Sequence, residues 1–272
     1  MKKILPILAL CLLLSAASAH AQPVSLFWPE AEGLFLSLTP YDGLTPISAH
    51  VILDIGPDSG NRLAFYAEYR NDSDEPLRPG SNILYCASPA WYGDRYAVEK
   101  DLYGWYHTYS APDVLMPGQT GYCYGSLPLD DYLAKNDKAY VTAEDISWIE
   151  IRLFDDEDAS RKTDNVPPVT ATVEPLPPPQ GSRSVFKTLR VTVANDTGED
   201  IAQPNVAVCA YDAQGHLLYM PYAANVACYE SDDMFLLPDG GSLVVDLYVD
   251  DAIGAILEAG GLEDVEYRCL LY

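Results

Sequence analysis

Two copies of one sequence pattern limit the folds open to this chain more than any other feature. The segment LAFYAEYRNDSDEPLRPGSNILYC at 63–86 matches TLRVTVANDTGEDIAQPNVAVC at 188–209. Each copy combines an alternating strand, a polar turn opened by Asn-Asp, a proline and a second apolar strand that ends in cysteine. Further on, LMPGQTGYCYGSLPLDDYL matches LLPDGGSLVVDLYVDDAIG. Self-similarity that keeps its order indicates a duplicated structural unit.

The repeat also sets the predicted domain boundaries. The closing blocks ISWIEIRLF and LEDVEYRCLL correspond as well, so we predict a first domain over 22–154 and a second over 169–272. Between them, DDEDASRKTDNVPP at 155–168 has the composition of a linker, because it is charged, lacks apolar periodicity and ends in two prolines. Residues 22–49 have no counterpart in the second copy, and 34–38 are expected to add a strand to the first domain.

Alternation with a period of two identifies the repeated segments as strands. Leu63, Phe65, Ala67 and Tyr69 fall on one face of the first strand, and residues 189–194 alternate in the same way. Runs of this kind, bounded by Asn, Asp, Gly and Pro turns and spread over roughly 100 residues, are typical of antiparallel sandwiches.

We therefore expect an all-β chain made of two tandem immunoglobulin-like antiparallel β-sandwiches. A short helix is predicted after one strand of each repeat, at 130–134 and at 250–257, where two aspartates stand in position to cap free amides.

The N-terminus has the form of a secretory signal peptide over residues 1–21. Lys2 and Lys3 precede an apolar run at 4–14, and small residues lead to an A-x-A cleavage sequence at 19–21. The apolar run is shorter than the ~20 residues that a membrane-spanning helix needs. We predict an exported protein, periplasmic or extracellular, with no transmembrane segment in the mature chain.

Charge and metal-ligand spacing exclude several classes of function. A net charge of −24 opposes binding to nucleic acid, because phosphate attraction requires Lys and Arg. The chain has no C-x-x-C pair and no cysteine–histidine spacing of a zinc site. Acidic clusters such as 155–158 can hold calcium, yet a D-x-D-x-D-G loop is missing, and solvated charge is the favoured interpretation. We predict no cofactor and no metal, and leave calcium binding by the acidic loops open.

The second copy resembles the FxLYD-type immunoglobulin-like domains of bacterial envelope and secreted proteins. The residues that carry the resemblance are VTVANDT at 191–197, VAVCAYDAQG at 206–215 and LPDG at 237–240. The resemblance implies a non-catalytic envelope module. The first copy departs from it, because the Tyr-Asp-x-x-Gly hairpin is replaced by ASPAWY at 87–92 and a longer insertion.

An aromatic insertion in the first domain is the main candidate for a binding site. Aromatic faces beside charged and polar groups suit sugar rings, and the same mixture is typical of protein–protein hot spots. The candidate ligand-binding residues are Trp91, Tyr92, Arg95, Tyr96, Tyr103, Trp105, Tyr106, His107 and Tyr109. The alternative is that residues 103–109 are an ordinary strand with one face in the core, since Tyr and Trp favour strands whatever their role.

Five cysteines in the mature chain suggest structural disulfides, because exported proteins mature in oxidising compartments. We predict a Cys86–Cys123 bridge in the first domain. In the second, Cys209 pairs with either Cys228 or Cys269, and Cys269 is favoured. Cys228 is then free or links the chain to another molecule as an oligomer.

These observations favour an exported, non-enzymatic binding or scaffolding module whose ligand is an envelope protein or a glycan. One alternative is a purely structural envelope protein. A remote one is a carbohydrate-active enzyme that uses paired carboxylates, which forty acidic residues leave open. The chain has no G-x-S-x-G motif and pairs no serine or cysteine with a base at a recognisable spacing.

Overall fold

A computed structural model of the chain shows a mostly β protein with several antiparallel sheets. It describes residues 24–30, 36–39, 41–57, 59–86, 102–107, 109–112, 114–146, 148–155, 169–177, 188–202, 205–225, 236–248 and 265–271. The strands of the N-terminal half (24–155) are β1 Val24–Trp28, β2 Leu36–Thr39, β3 Leu44–Asp54, β4 Arg62–Asn71, β5 Pro79–Cys86, β6 Leu102–His107, β7 Tyr109–Ala111, β8 Thr120–Pro128 and β9 Trp148–Asp155. Those of the C-terminal half (169–271) are β10 Thr170–Leu176, β11 Thr188–Ala194, β12 Ile201–Ala202, β13 Asn205–Tyr211, β14 Leu217–Asn225, β15 Leu236–Leu237, β16 Ser242–Tyr248 and β17 Glu266–Leu271.

Two sheets of the N-terminal half share one core. Their strand orders are β1-β3-β4-β8-β7 and β2-β9-β5-β6, and all neighbours are antiparallel except the parallel pair β2–β9. Val51 and Phe65 from the first sheet and Ile149 and Ile151 from the second are buried in the same cluster. The segment before the repeat supplies an edge strand to each sheet: β1, which sequence analysis did not identify, and β2, which lies close to the predicted strand at 34–38.

The sheets of the C-terminal half have the same strand order. Strands β10-β11-β16 follow the order of β3-β4-β8, and β17-β13-β14 follow that of β9-β5-β6. The small β12–β15 ladder, where Ile201 faces Leu237, corresponds to the isolated bridge between Leu77 and Leu115. Within the described ranges, β1, β2 and β7 have no equivalent in this half.

A buried asparagine holds the same turn in each half. The Asn71 amide donates to the carbonyl oxygens of Glu75 and Leu115, both at 2.8 Å, while its Oδ1 accepts from the Ser73 hydroxyl at 2.7 Å. Its backbone pairs with Gln119 and Gly118. The bonds to Leu115, Gly118 and Gln119 tie the end of β4 to the segment that leads into β8.

Asn195 makes the equivalent bonds in the C-terminal half. Its amide donates to Glu199 O at 2.7 Å and to Leu237 O at 2.8 Å, and its Oδ1 accepts from the Thr197 hydroxyl at 2.7 Å. Both asparagines are fully buried. Since each amide bonds a buried carbonyl of the segment before the next strand and a carbonyl of its own turn, the turn depends on the amide.

The helix predicted after β8 is present, but its cap differs from the prediction. Helix α1 spans Asp130–Asn136, its N-cap is Leu129, and no side chain caps it. Leu129 is buried and its amide donates to Asn61 O at 2.8 Å, which places Asp130 inside the first turn, where the carboxylate favours the helix dipole. The second predicted helix, at 250–257, lies outside the described residues.

Asp145 fastens the segment after α1 to the helix. It accepts hydrogen bonds from Tyr132, Lys138 and Thr142. Burial alone would raise the pKa of this carboxyl, but these donors outweigh it and hold the pKa at about 2.

The predicted Cys209–Cys269 bridge is not formed. Cys209 and Cys269 are free thiols. Strand β13 pairs Cys209 with Arg268 and Val208 with Cys269, so the two thiols point to opposite faces of one sheet and cannot meet without moving the backbone. In the N-terminal half, Cys123 lies in the core on β8 and Cys86 ends β5 in the facing sheet, and the Cys86–Cys123 bridge stays a prediction. Cys228 lies outside the described residues.

We expect Asn71→Ala and Asn195→Ala each to lower the free energy of unfolding by about 2–4 kcal/mol, because each removes a fully buried amide that makes three side-chain hydrogen bonds. The measurement is urea denaturation of the purified chain. Asn136→Ala is the matched control, since it removes one amide bond at the exposed end of α1 and should cost under about 1 kcal/mol. Losses in the two buried variants no greater than in this control would contradict the role assigned to the network.

We also expect that no Cys209–Cys269 bridge forms in the folded protein. The measurement is peptide mapping under non-reducing conditions after alkylation of the folded chain. A peptide that joins the two cysteines would show that the β13–β17 register is wrong.

Candidate functional site

The predicted aromatic site lies partly in the described chain. Trp91, Tyr92, Arg95 and Tyr96 fall outside it. The structure places the backbone of the other candidates: Tyr103, Trp105, Tyr106 and His107 lie in β6 and Tyr109 lies in β7.

Strand β6 is the last strand of its sheet among the described residues, and it pairs with β5. Tyr103 stands opposite Tyr85, and Tyr106 stands opposite Ile83. A register shift between Ile83 and Tyr85 marks an irregularity in this ladder. The segment is therefore β, divided between β6 and β7 in two different sheets, whereas its packing in the core and its role in binding stay predictions.

The structure also shows a site that sequence analysis missed, on the outer face of sheet β1-β3-β4-β8-β7. Cross-strand pairs place Phe27 beside His50, His50 beside Tyr66, and Tyr66 beside Tyr124. Because directly opposed residues share a face, these rings form one row across four strands. We call this surface the docking face; its residues are Phe27, Ser48, His50, Ile52, Ala64, Tyr66, Glu68, Tyr122 and Tyr124.

The docking face is covered by the C-terminal half. Ile52, Ala64 and Tyr66 are buried in one cluster with residues of β13 and β14. The Tyr66 ring meets Tyr219 edge-on, with centroids 6.3 Å apart. The sheet β14-β13-β17 therefore packs on a surface that would otherwise expose several aromatic rings.

His50 lies at the centre of this contact. Its side chain is fully buried, and its ring stacks on Phe27 with centroids 4.1 Å apart and planes 4° from parallel. Nδ1 is 2.5 Å from the carbonyl oxygen of Leu218 on β14. Burial lowers the pKa of His50 to about 4, although the Leu218 carbonyl and the charge of Asp212 oppose the shift.

The turn between β13 and β14 completes the contact at this end. Asp212 accepts from the backbone amides of Gln214 at 2.9 Å and His216 at 2.7 Å, and its second oxygen is 3.0 Å from His216 Nδ1. The His216 ring lies 5.8 Å from that of Phe27. These residues overlap the Tyr-Asp-x-x-Gly sequence on which the FxLYD resemblance rests.

A polar cluster occupies the other end of the docking face. The hydroxyls of Tyr122 and Tyr211 are 2.7 Å apart, and Ser48 donates to the Glu68 carboxylate at 3.3 Å. The Arg268 guanidinium lies 4.3 Å from the centre of the Tyr211 ring. Polar groups that are buried between the two halves need hydrogen-bond partners. The polar groups of this cluster bond mostly to one another.

Burial governs the titration of this cluster. It raises the pKa of Glu68, against hydrogen bonds from Ser48, Tyr122 and Tyr211 and the charge of Arg268. It also raises the pKa values of Tyr122 and Tyr211 and of the Cys209 thiol. The thiol and both phenols therefore stay neutral at ordinary pH, which does not suit nucleophilic chemistry.

A sequence signal for the docking face exists in β4. The segment LAFYAEY is apolar or aromatic on both faces except at Glu68, whereas a strand with one wet face alternates with polar residues. Alternation identified the two faces of this strand, but it does not say which partner covers the second one.

In the described part of the chain, no group of three or more His, Cys, Asp or Glu side chains is placed to hold a metal ion. No helix among the described residues has the length and apolar character needed to cross a membrane.

Comparison with known proteins does not identify a family for this chain. No family model matches the chain, and no curated protein matches it. A comparison of structures finds the crystal structure of red sea bream transglutaminase, at 11% identity over 71% of this chain and a TM-score of 0.20. The match covers 25% of that enzyme's chain, and a similarity this low supports no inference about the fold or the activity.

We expect Tyr122→Phe and Tyr211→Phe to be coupled by about 1 kcal/mol in a double-mutant cycle, because each hydroxyl is bonded to the other. The measurement is chemical denaturation of both single variants and the double variant. Tyr140→Phe, at an exposed tyrosine, paired with either variant should give additive effects. Additivity of Tyr122→Phe and Tyr211→Phe would mean that the two hydroxyls do not interact.

Proposed function

We propose that this chain is an exported, non-enzymatic binding or scaffolding module. Its two halves are immunoglobulin-like β-sandwiches produced by duplication, and its ligand is an envelope protein or a glycan. The ligand binds the aromatic insertion of the N-terminal half, residues 91–109.

One observation carries the binding proposal: strand β6 places aromatic residues at the end of its sheet as far as the described strands extend. Tyr103, Trp105 and Tyr106 lie in succession on the last described strand of β2-β9-β5-β6. A terminal strand offers a ligand both its side chains and its outer backbone edge. The aromatic rings of the docking face, in contrast, pack in the contact between the halves.

Two features support the duplication. The strand order of the sheets recurs between the halves, and so does the network around Asn71 and Asn195. In each half a turn with leucine, proline and a left-handed glycine, at 115–118 and 237–240, precedes a strand of an antiparallel sheet, which fits the immunoglobulin-like arrangement that we infer.

A purely structural role is the second candidate, and the docking face favours it. Its polar groups are hydrogen-bonded to each other or enclosed, as in the Tyr122–Tyr211 pair. An extensive internal contact of this kind gives a protein fixed geometry, which is what a spacer in the envelope requires.

The two candidates separate in one experiment on Trp105→Ala. Tyr140→Ala is the control, because it removes an exposed aromatic side chain elsewhere. We expect the wild-type chain and Tyr140→Ala to bind a glycan array or an envelope-protein fraction, and Trp105→Ala to lose that binding by tenfold or more while keeping its unfolding midpoint. If Trp105 is core instead, its truncation costs about 3–5 kcal/mol of stability and no ligand is retained by any of the three proteins.

A further inference from the structure

One atom of the docking face lacks what burial normally requires. Among the described residues, His50 Nε2 is a buried side-chain nitrogen without a hydrogen-bond partner. Its sister atom Nδ1 faces the Leu218 carbonyl. Since a carbonyl oxygen only accepts, Nδ1 carries the proton, and the neutral ring leaves Nε2 as a bare acceptor.

Protonation would change this contact. A proton on Nε2 creates a charged N–H enclosed by the stacked Phe27 ring and by β14, with no acceptor at hand. A buried charge without a partner is far more costly than a buried neutral acceptor. The docked arrangement therefore selects the neutral form of His50.

Other groups around His50 do not supply the missing acceptor. The titratable groups on the elements packed against it are Tyr66 and Glu68 on β4, Tyr219 on β14, and Asp212 and His216 on the turn; β1 contributes the apolar ring of Phe27. Asp212 favours the charged form of His50 by its charge alone. Its two oxygens already accept bonds from the amides and the ring of its own turn.

We propose that the contact between the two halves is an acid-sensitive latch, in which protonation of His50 separates the docking face from the sheet β14-β13-β17. The N-terminal half keeps its own core when this happens. The cluster that contains Phe65, Cys123 and Ile151 includes no residue of the C-terminal half. Separation therefore exposes the aromatic row without dissolving the fold behind it.

The sign follows from the lowered pKa. A histidine whose folded pKa lies below its unfolded value contributes stability that is complete above about pH 6.5 and is lost as the pH falls toward about 4. A fall from 6.5 to about 4 corresponds to a change on the order of a hundredfold in the equilibrium between docked and separated forms.

Glu68 acts in the opposite direction on the same surface. Its raised pKa means that the docked form holds a proton more tightly than the separated form. Acidification therefore relieves the cost of burying Glu68 while it adds a cost at His50. A variant without this carboxylate should therefore show the full pH dependence that His50 gives to the contact.

The test measures side-chain exposure by hydroxyl-radical footprinting of the full mature chain between pH 7 and pH 4. The reporters are Tyr122 and Tyr211 on the contact, and Tyr69, fully buried in the core of the N-terminal half, is the internal control. We expect labelling of the two reporters to rise at least fivefold toward pH 4, while labelling of Tyr69 stays constant.

Variants assign the effect to His50. His50→Asn keeps a donor for the Leu218 carbonyl but does not titrate, so its reporters should show no rise; His216→Gln is the matched control and should behave as wild type. Glu68→Gln should show a steeper rise than wild type. Reporters in the wild type that stay protected at pH 4, or a rise that persists in His50→Asn, would overturn the proposal.

If the His50→Asn variant fails to dock at pH 7, a second measurement on the wild-type protein still tests the proposal. An NMR titration of the wild-type His50 ring gives its pKa directly. The midpoint must lie well below 6.5 and coincide with the midpoint of reporter exposure. A His50 midpoint near 6.5, or one separate from the exposure midpoint, would also overturn the proposal.

Discussion

The architecture depends on one side chain used twice, the buried asparagine at the end of β4 and directly after β11. An amide can donate two bonds and accept two at once, which neither a carboxylate nor a hydroxyl can do. Asn71 uses this capacity to satisfy carbonyls on both sides of a turn, at Glu75 and Leu115. Because its backbone also bonds Gly118, whose φ is +76°, the start of β8 is placed against the end of β4. Asn195 does the same with Gly240. The same residue type therefore sets the same strand register in both halves.

Strand β4 is buried on both faces, and this explains the polar chemistry found between the halves. Phe65 and Tyr69 pack into the core of the N-terminal half, and Tyr66 packs against the C-terminal half. An antiparallel sheet usually leaves one face to water. Once the second face is covered, every polar group on it needs a partner inside the contact, and the pairing of Tyr122 with Tyr211 is the direct result.

The sequence predicts the local elements better than it predicts what they meet. Alternation correctly placed β4 and β11, and the double aspartate correctly placed α1, because both signals act within a few residues. The prediction of a Cys209–Cys269 bridge was wrong for a different reason. Alternation assigns Cys269 to a face of its own strand, but the bridge depends on the register with β13, which pairs Cys269 with Val208. His50 could be placed on a strand and not in a contact, because its partner Leu218 lies 168 residues away in the chain.

Placing a histidine and a carboxylic acid on one buried face has a consequence that neither group has alone. The contribution of His50 to the stability of the contact decreases as the pH falls below 6.5. The contribution of Glu68 increases as the pH falls through its raised pKa. In mildly acidic conditions the two contributions partly cancel, so the contact resists the first protonation. The gain from Glu68 ends once the unfolded carboxyl is protonated too, at about pH 4.5, while the loss at His50 continues to about pH 4. Together, His50 and Glu68 therefore narrow the pH range over which the contact weakens. The position of that range depends on the buried Nε2 of His50, which has no hydrogen-bond partner.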